Sequence, residues 1–452
     1  MKNINPNPFT TRPEIDGTFG VVTSTHWIAT AVGMAALEKG GNAFDAAVAT
    51  AFTLQVVEPH LNGPGGDVPV IVHDVRKRKV EVICGQGPAP AAATIAHYRS
   101  EGLDMVPGTG LLAACVPGMF DTWMLLLRDY GTLRLADVLA PAIFYASQGH
   151  PLVERANATI ATVADLFRTH WPTSAAVYLP GGKPPPTGTL FTNKALTDTY
   201  TRVLREAESA GGDRVKQIEK ARLTWGEGFV AEAIDRFCRT QEIMDTSGER
   251  HRGVLTGEDM ARWEAHVEAP LTYDYGRYTA CKAGAWSQGP VMLQQLALLK
   301  GFDLDDADPV SADFVHTLVE CSKLAYADRE KFYGDPDFAE VPMATLLSDA
   351  YNDERRKLVA DTILPAASTM SKCTVSPRIS PMRPTVGSPA PRPPTARRDP
   401  SSRRSFTTAP KPSTEPGHNS REALSPTSLR RSSLYASERS VAIGTLAKSG
   451  SP

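Results

Sequence analysis

Apolar residues recur at helical spacing near Met119 to Asp129, Leu135 to Ser147, Ala195 to Ala207, Glu227 to Gln241 and Phe314 to Lys331, and each stretch predicts a helix with one buried face. Two shorter runs, Val68 to Val72 and Val80 to Cys84, are apolar over strand length. They flank the charged turn Arg76-Lys77-Arg78-Lys79, which predicts a β-hairpin. Pro172 to Gly188 is rich in proline and glycine and reads as a surface loop. Together these patterns predict a mixed α/β body with an Ala-rich helical layer.

That layer centres on Gly40 to Asp67 (GGNAFDAAVATAFTLQVVEPHLNGPGGD). Gly40 and Gly41 punctuate the end of a helix from about Ile28 to Lys39, because glycine accepts the left-handed turn that closes helices. Asn42 is placed to cap the next helix, with Asp45 in the position of a capping box. Ala43, Ala46, Ala47, Ala49 and Ala51 are small enough to let that helix lie close to a neighbour, so it should be buried. Gly63, Gly65 and Gly66 then follow a helix and precede a strand. Phosphate-binding loops run the other way, from strand through glycines into a helix, and are followed by Lys-Ser/Thr or a dinucleotide fingerprint. A phosphate site is therefore excluded, and the local reading is a turn that needs positive φ. Asp67, beside the loop, is a candidate for orienting backbone donors toward a substrate.

The net charge of -2 conceals two kinds of polypeptide. From Pro365 to Pro452 there are 14 Lys and Arg against 4 Asp and Glu, with 14 prolines and 18 serines, whereas the preceding residues are acidic. Such a tail cannot bury enough apolar surface to offset chain entropy, which predicts disorder. A basic arm contacting nucleic acid through Arg392, Arg397, Arg398, Arg403 and Arg404 is one reading, but Phe406 and Tyr435 are its only aromatics, so no nucleic-acid partner is expected. A solvated linker is a second. A shifted reading frame or misjoined end is the third, and it accounts best for the abrupt change. The expected division is an N-terminal arm over 1–15, a body over 16–362 and a tail over 363–452. Cys84, Cys115, Cys238, Cys281, Cys321 and Cys373 stand singly and form no CxxC pair, which suits a reducing compartment. No run approaches a membrane span, and the first residues lack the apolar core of a signal peptide, so the expected location is cytoplasmic, with no membrane partner.

Several segments resemble the γ-glutamyltransferase (glutathione hydrolase) family. The GGNAFDAAVA helix and the glycine loop after it are similar to its N-terminal signature, Gly20 to His26 (GVVTSTH) to its first strand, and Gly87 to Thr94 (GPAPAAAT) to its APA segment. Val116-Pro117-Gly118 and Ser287-Gln288-Gly289-Pro290 resemble family turns, and Ala325 to Phe338 (AYADREKFYGDPDF) is the most specific match. The resemblance covers roughly residues 15 to 360. It implies a four-layer αββα sandwich of the N-terminal nucleophile hydrolase type, here its large-subunit region, and sides with the oxamate amidohydrolase-like members. It also implies a precursor that cuts itself before a threonine, whose hydroxyl then attacks a small-molecule amide with its own α-amino group as base. A small subunit would result, and no cofactor is implied.

Two departures qualify that implication. The nucleophile is expected in a Thr-x-His-Phe context beyond the AYADR segment, and no such context exists. Thr362, Thr369, Thr374, Thr407 and Thr408 lack the histidine and the strand, so no catalytic residue is assigned and the chain as written is expected to be inactive, truncated or frameshifted after about residue 360. Glutathione-cleaving members place an arginine three residues before the APA segment to bind the glutamyl α-carboxylate. Here that position is Gln86, the one substrate-binding candidate, and a neutral amide supplies no charge. The alternative function is an inactive fragment or binding remnant with a basic tail.

Ser287 lies between the strand-like run Tyr278 to Cys281 and a helix from Val291, the context of a nucleophile elbow, with Asp303 or Asp306 and His316 following. Ala285 replaces the first glycine, and a helix N-cap is the simpler reading. Asp328, Arg329, Asp335 and Asp337 read either as one ion-pair network or as solvated caps. His26, His60 and His73 lack metal-ligand spacing, so no metal site is expected.

Overall fold

The computed structural model describes residues 15–359 and 447–448. The arm over 1–14 and nearly all of the tail, with the candidate threonines and Cys373, lie outside the described residues.

The Ala-rich layer forms as its sequence dictates. Helix α1 (Trp27–Glu38) is capped by His26, whose Nδ1 accepts from the Ile28 N–H at 3.2 Å. Gly40 takes φ 92°, and α2 (Ala43–Val57) follows with the full Asn42/Asp45 capping box. Strands β1 (Val70–Asp74) and β2 (Lys79–Cys84) make the expected hairpin, antiparallel with Val72 opposite Glu81. The first strand begins at Val70 rather than Val68. Next come α3 (Ile95–Ser100), α4 (Met119–Tyr130), α5 (Leu135–Gln148), β3 (His150–Pro151), α6 (Glu154–Thr162), α7 (Ala164–His170) and α8 (Pro172–Tyr178). The last of these corrects the first part of the loop reading of Pro172 to Gly188: proline at the first helical position loses no needed N–H, so Pro172 starts a helix, and residues 183–188 remain loop.

The chain continues through β4 (Leu190–Phe191), α9 (Lys194–Glu208), α10 (Arg214–Gly226), α11 (Phe229–Thr240), β5 (Ile243–Met244), β6 (Arg250–His251) and α12 (Gly257–Arg262). It then forms β7 (His266–Glu268), β8 (Leu271–Tyr275), β9 (Tyr278–Lys282), α13 (Gly289–Leu299), α14 (Ala312–Phe332), α15 (Met343–Leu346), α16 (Asp349–Arg356) and β10 (Ala447–Lys448). The sheets are small and antiparallel, ordered β1-β2-β7 and β10-β9-β8, with pairs β3-β4 and β5-β6. The described residues are thus mixed α/β and mostly helical. Their four small sheets do not by themselves display the four-layer stack expected from the resemblance.

The main core joins α1, α2, α4, α5, α9 and α10 around Phe52, Phe120, Tyr200 and Trp225. Phe120 stacks on Trp225 at 4.2 Å, and Phe52 meets Phe120 and Tyr200 edge-on. A separate cluster, including Val291, Leu298, Cys321 and Leu324, packs α13 against α14 and so holds those two helices beside the second sheet.

Candidate functional site

Three of the segments singled out in the sequence meet backbone to backbone. Val68 N–H donates to the Gly85 carbonyl at 3.1 Å, Met119 N–H to the Gly66 carbonyl at 3.0 Å, and Val116 N–H to the Pro88 carbonyl at 3.0 Å. A Cβ at Gly87 would stand 2.0 Å from the Val116 carbonyl oxygen, and one at Gly118 2.4 Å from that of Gly85. Close approach is therefore what this junction demands of its glycines. The predicted turn is present, with the Gly66 N–H donating to the Gly63 carbonyl at 3.1 Å, but none of Gly63, Gly65 and Gly66 has positive φ, which corrects the backbone conformation expected there. The APA segment is fixed from the far side, because Ala91 N–H donates to Asp259 at 3.0 Å. Burial works against ionising Asp259, but the Ala91 and Thr256 donors outweigh it and hold the carboxyl below its ordinary range.

Beside this junction opens a cleft of about 780 Å³. Asp67 and Gln86 line one side, the connection from Lys282 to Gly289 a second, and Arg329, Tyr333 and Asp335 a third. Trp286 is held in the wall by its Nε1–H, which donates to Glu268 at 2.9 Å. Gln86 is exposed at the rim, and its side chain makes no hydrogen bond among the described residues. Asp67 is exposed in the same lining.

Ser287 does not form a nucleophile elbow. Its Oγ donates to the Gly284 carbonyl at 2.9 Å and accepts from the Gly289 N–H at 3.0 Å, so the hydroxyl is engaged on both sides by backbone. Asp303, Asp306 and His316 do not line the cleft. The helix N-cap is Gln288, one residue later than expected, with Ser287 satisfying the first helical amide.

The AYADR segment divides between core and cleft, because consecutive residues of a helix point about 100° apart. Asp328 is fully buried, paired with Arg355 at 3.0 Å and accepting from Gln294 at 2.6 Å and the Tyr351 hydroxyl at 3.1 Å. Arg329 faces the cleft, 2.7 Å from Glu330, while Asp337 N–H donates to Asp335 at 2.9 Å within a local turn. The four residues grouped in the sequence therefore form neither one network nor a set of solvated caps. Arg355, the cation that sequence reading missed, sits on α16 with no spacing signal to announce it. Tyr333 brings a buried hydroxyl with no hydrogen-bond partner among the described residues, and burial pushes its phenol up. Among the described residues no group of three His, Cys, Asp or Glu side chains could hold a metal ion, and no helix is long and apolar enough to cross a membrane.

The gamma-glutamyltranspeptidase family model matches residues 29–385. The glutathione hydrolase-like YwrD proenzyme of Bacillus subtilis (strain 168) is 32% identical over 354 residues, covering 78% of this chain and 62% of that protein. The acylase ACY 1 proenzyme of Pseudomonas sp. (strain SE83) is also 32% identical, over 356 residues, covering 76% of this chain and 59% of that protein. Two solved structures of LmbA2991, 59% and 58% identical, each superpose with a TM-score of 0.74 over 78% of this chain and 59% and 60% of theirs. The crystal structure of Helicobacter pylori gamma-glutamyltranspeptidase gives a TM-score of 0.70 at 25% identity, over 83% of this chain and 100% of that chain. The chain belongs to the gamma-glutamyltranspeptidase family of N-terminal nucleophile hydrolases. It spans about three-fifths of the length of the curated relatives it matches.

Proposed function

We propose that residues 16–362 are the large-subunit-type scaffold of a small-amide hydrolase, one that matures by self-cleavage before a threonine supplied outside these residues. The observation that supports this reading is convergence: Asp67 just after the glycine loop, Gln86 before APA, the Ser287-Gln288-Gly289 turn and the end of α14 all line one cleft. In the complete hydrolase the threonine hydroxyl attacks the amide carbonyl while its α-amino group takes the proton. The amine leaves, and water releases the acyl group from the enzyme. Gln86 at the rim has an amide able to donate and accept hydrogen bonds but carries no charge, which favours a small amide other than a γ-glutamyl one. The relatives' names fit either choice, one being glutathione hydrolase-like and the other an acylase.

The test is calorimetric titration of the full chain with γ-glutamyl-p-nitroanilide. Gln86→Arg should strengthen binding by about tenfold or more, the worth of one added charge-assisted contact. Binding already as tight with Gln86 as with arginine would count against the reading.

A further inference from the structure

We propose that Lys282 determines the specificity of this cleft, selecting small amides that carry a carboxylate. The inference rests on the amide-hydrolase reading and adds the group that recognises the substrate's charge. Lys282 ends β9, is half-buried, lines the cleft, and makes no ion pair or hydrogen bond among the described residues. The other cation in the lining, Arg329, is already engaged by Glu330. A half-buried ammonium without a counter-ion has lost part of its hydration and gained nothing in exchange, so an anion entering the cleft recovers that loss.

The surroundings reinforce the sign. A Cβ at Gly289 would stand 3.0 Å from the Lys282 Cβ and 2.8 Å from the Ala283 carbonyl oxygen, so the lysine stem packs directly on the first residue of α13. That helix runs for 11 residues, and the partial positive charge of its N-terminus at Gly289 belongs to the same cleft lining as Lys282. Of the carboxylates in the lining, Glu330 is paired with Arg329 and Asp335 accepts within its own turn, which leaves Asp67 exposed at the rim. An amide nitrogen is a donor that suits Asp67 or the Gln86 carbonyl. The cleft therefore offers a cation for a carboxylate and acceptors for the amide end of the same small molecule.

Succinamate and butyramide, which share a four-carbon amide chain and differ by a terminal carboxylate in place of a methyl, test this by calorimetric titration of the full chain. Succinamate should bind about tenfold or more tightly than butyramide. Lys282→Met should abolish that preference by weakening succinamate about tenfold or more, while Lys282→Arg should retain it. Equal binding of the two amides by the unaltered chain, or full succinamate affinity in Lys282→Met, overturns the role of Lys282 and leaves the amide site standing. Binding of neither amide by the folded, unaltered chain overturns the site and this inference together. Should Lys282→Met fail to fold, the succinamate preference of the unaltered chain and of Lys282→Arg still decides.

Discussion

Two aspartates with no exposed surface, Asp45 and Asp328, organise the two regions that matter most, and they are satisfied in opposite ways. Asp45 is surrounded by neutral donors: the Asn42 N–H at 2.8 Å, the Thr132 N–H at 2.8 Å and hydroxyl at 2.7 Å, and the Leu133 N–H at 3.0 Å. It caps α2 and at the same time fastens the α4–α5 connection to it. Asp328 instead faces a full charge, Arg355, together with Gln294 and Tyr351 from α13 and α16. Burial pushes its carboxyl up, and Arg355 pulls it back. Asp45 joins a local capping box to neutral donors from the distant α4–α5 connection, whereas Asp328 draws every named partner, a full charge among them, from other helices. The start of α2 is accordingly written in its own segment and only fastened by the fold, while the region behind the cleft is a property of the assembled fold.

The comparison breaks most visibly at Asp328. Asp328→Ala removes the carboxylate facing a guanidinium that is itself 1% exposed, and loss of one partner of a buried pair costs about 3–5 kcal/mol. Chemical denaturation should show that loss. The paired change Asp328→Leu with Arg355→Met should recover most of it, because apolar replacement of both partners removes the desolvation cost as well. A double variant no more stable than the single one would mean that the network specifies geometry that packing alone cannot replace.

Asp45→Ala should cost somewhat less, about 2–4 kcal/mol, since it orphans several buried donors while its charged neighbour Arg214 keeps its bonds to the Leu133 and Arg128 carbonyls. Asp45→Asn sharpens the contrast: it keeps one acceptor oxygen and should recover part of the loss, whereas Asp328→Asn removes the charge that Arg355 requires. Denaturant midpoints showing equal recovery at both sites would erase the distinction between dipole and charge.

That distinction also explains what was legible in the sequence. Asn42 and Asp45 stand three residues apart, the hairpin strands flank a charged turn, and the long amphipathic helices show their period, so each carries its evidence within a short window. Thr132 and Leu133, which complete Asp45, lie 87 and 88 residues away and give no such signal. Gln86 was found because it adjoins a motif. Lys282 and Tyr333 were not, because the cleft gathers segments from Asp67 to Asp335 and nothing local marks a lysine as unpaired or a tyrosine as orphaned. Pro172 misled for the converse reason, since proline both breaks helices and starts them.

His150 supplies the smallest test and a third way to bury a polar group, with no effective partner at all. It is 1% exposed, packs edge-on against Phe191, and neither ring nitrogen makes a hydrogen bond among the described residues. Burial pushes its pKa from 6.5 down to about 4; the nearby Tyr145 carbonyl offsets part of this, and His26 lowers it further. Between those two values the unfolded chain binds a proton that the folded chain refuses, so acid favours unfolding. Stability from this residue is complete above about pH 6.5, falls as pH drops through the window, and levels off near pH 4. The loss is at most about 3 kcal/mol, since a tenfold difference in proton affinity between the folded and unfolded chain corresponds to about 1.4 kcal/mol. His150→Phe should flatten the denaturation midpoint across that window relative to the unaltered chain. Parallel pH curves for the two proteins would show that the ring is protonated as readily inside the fold as outside it, and that water or a neighbouring carbonyl makes His150 a satisfied group like Asp45.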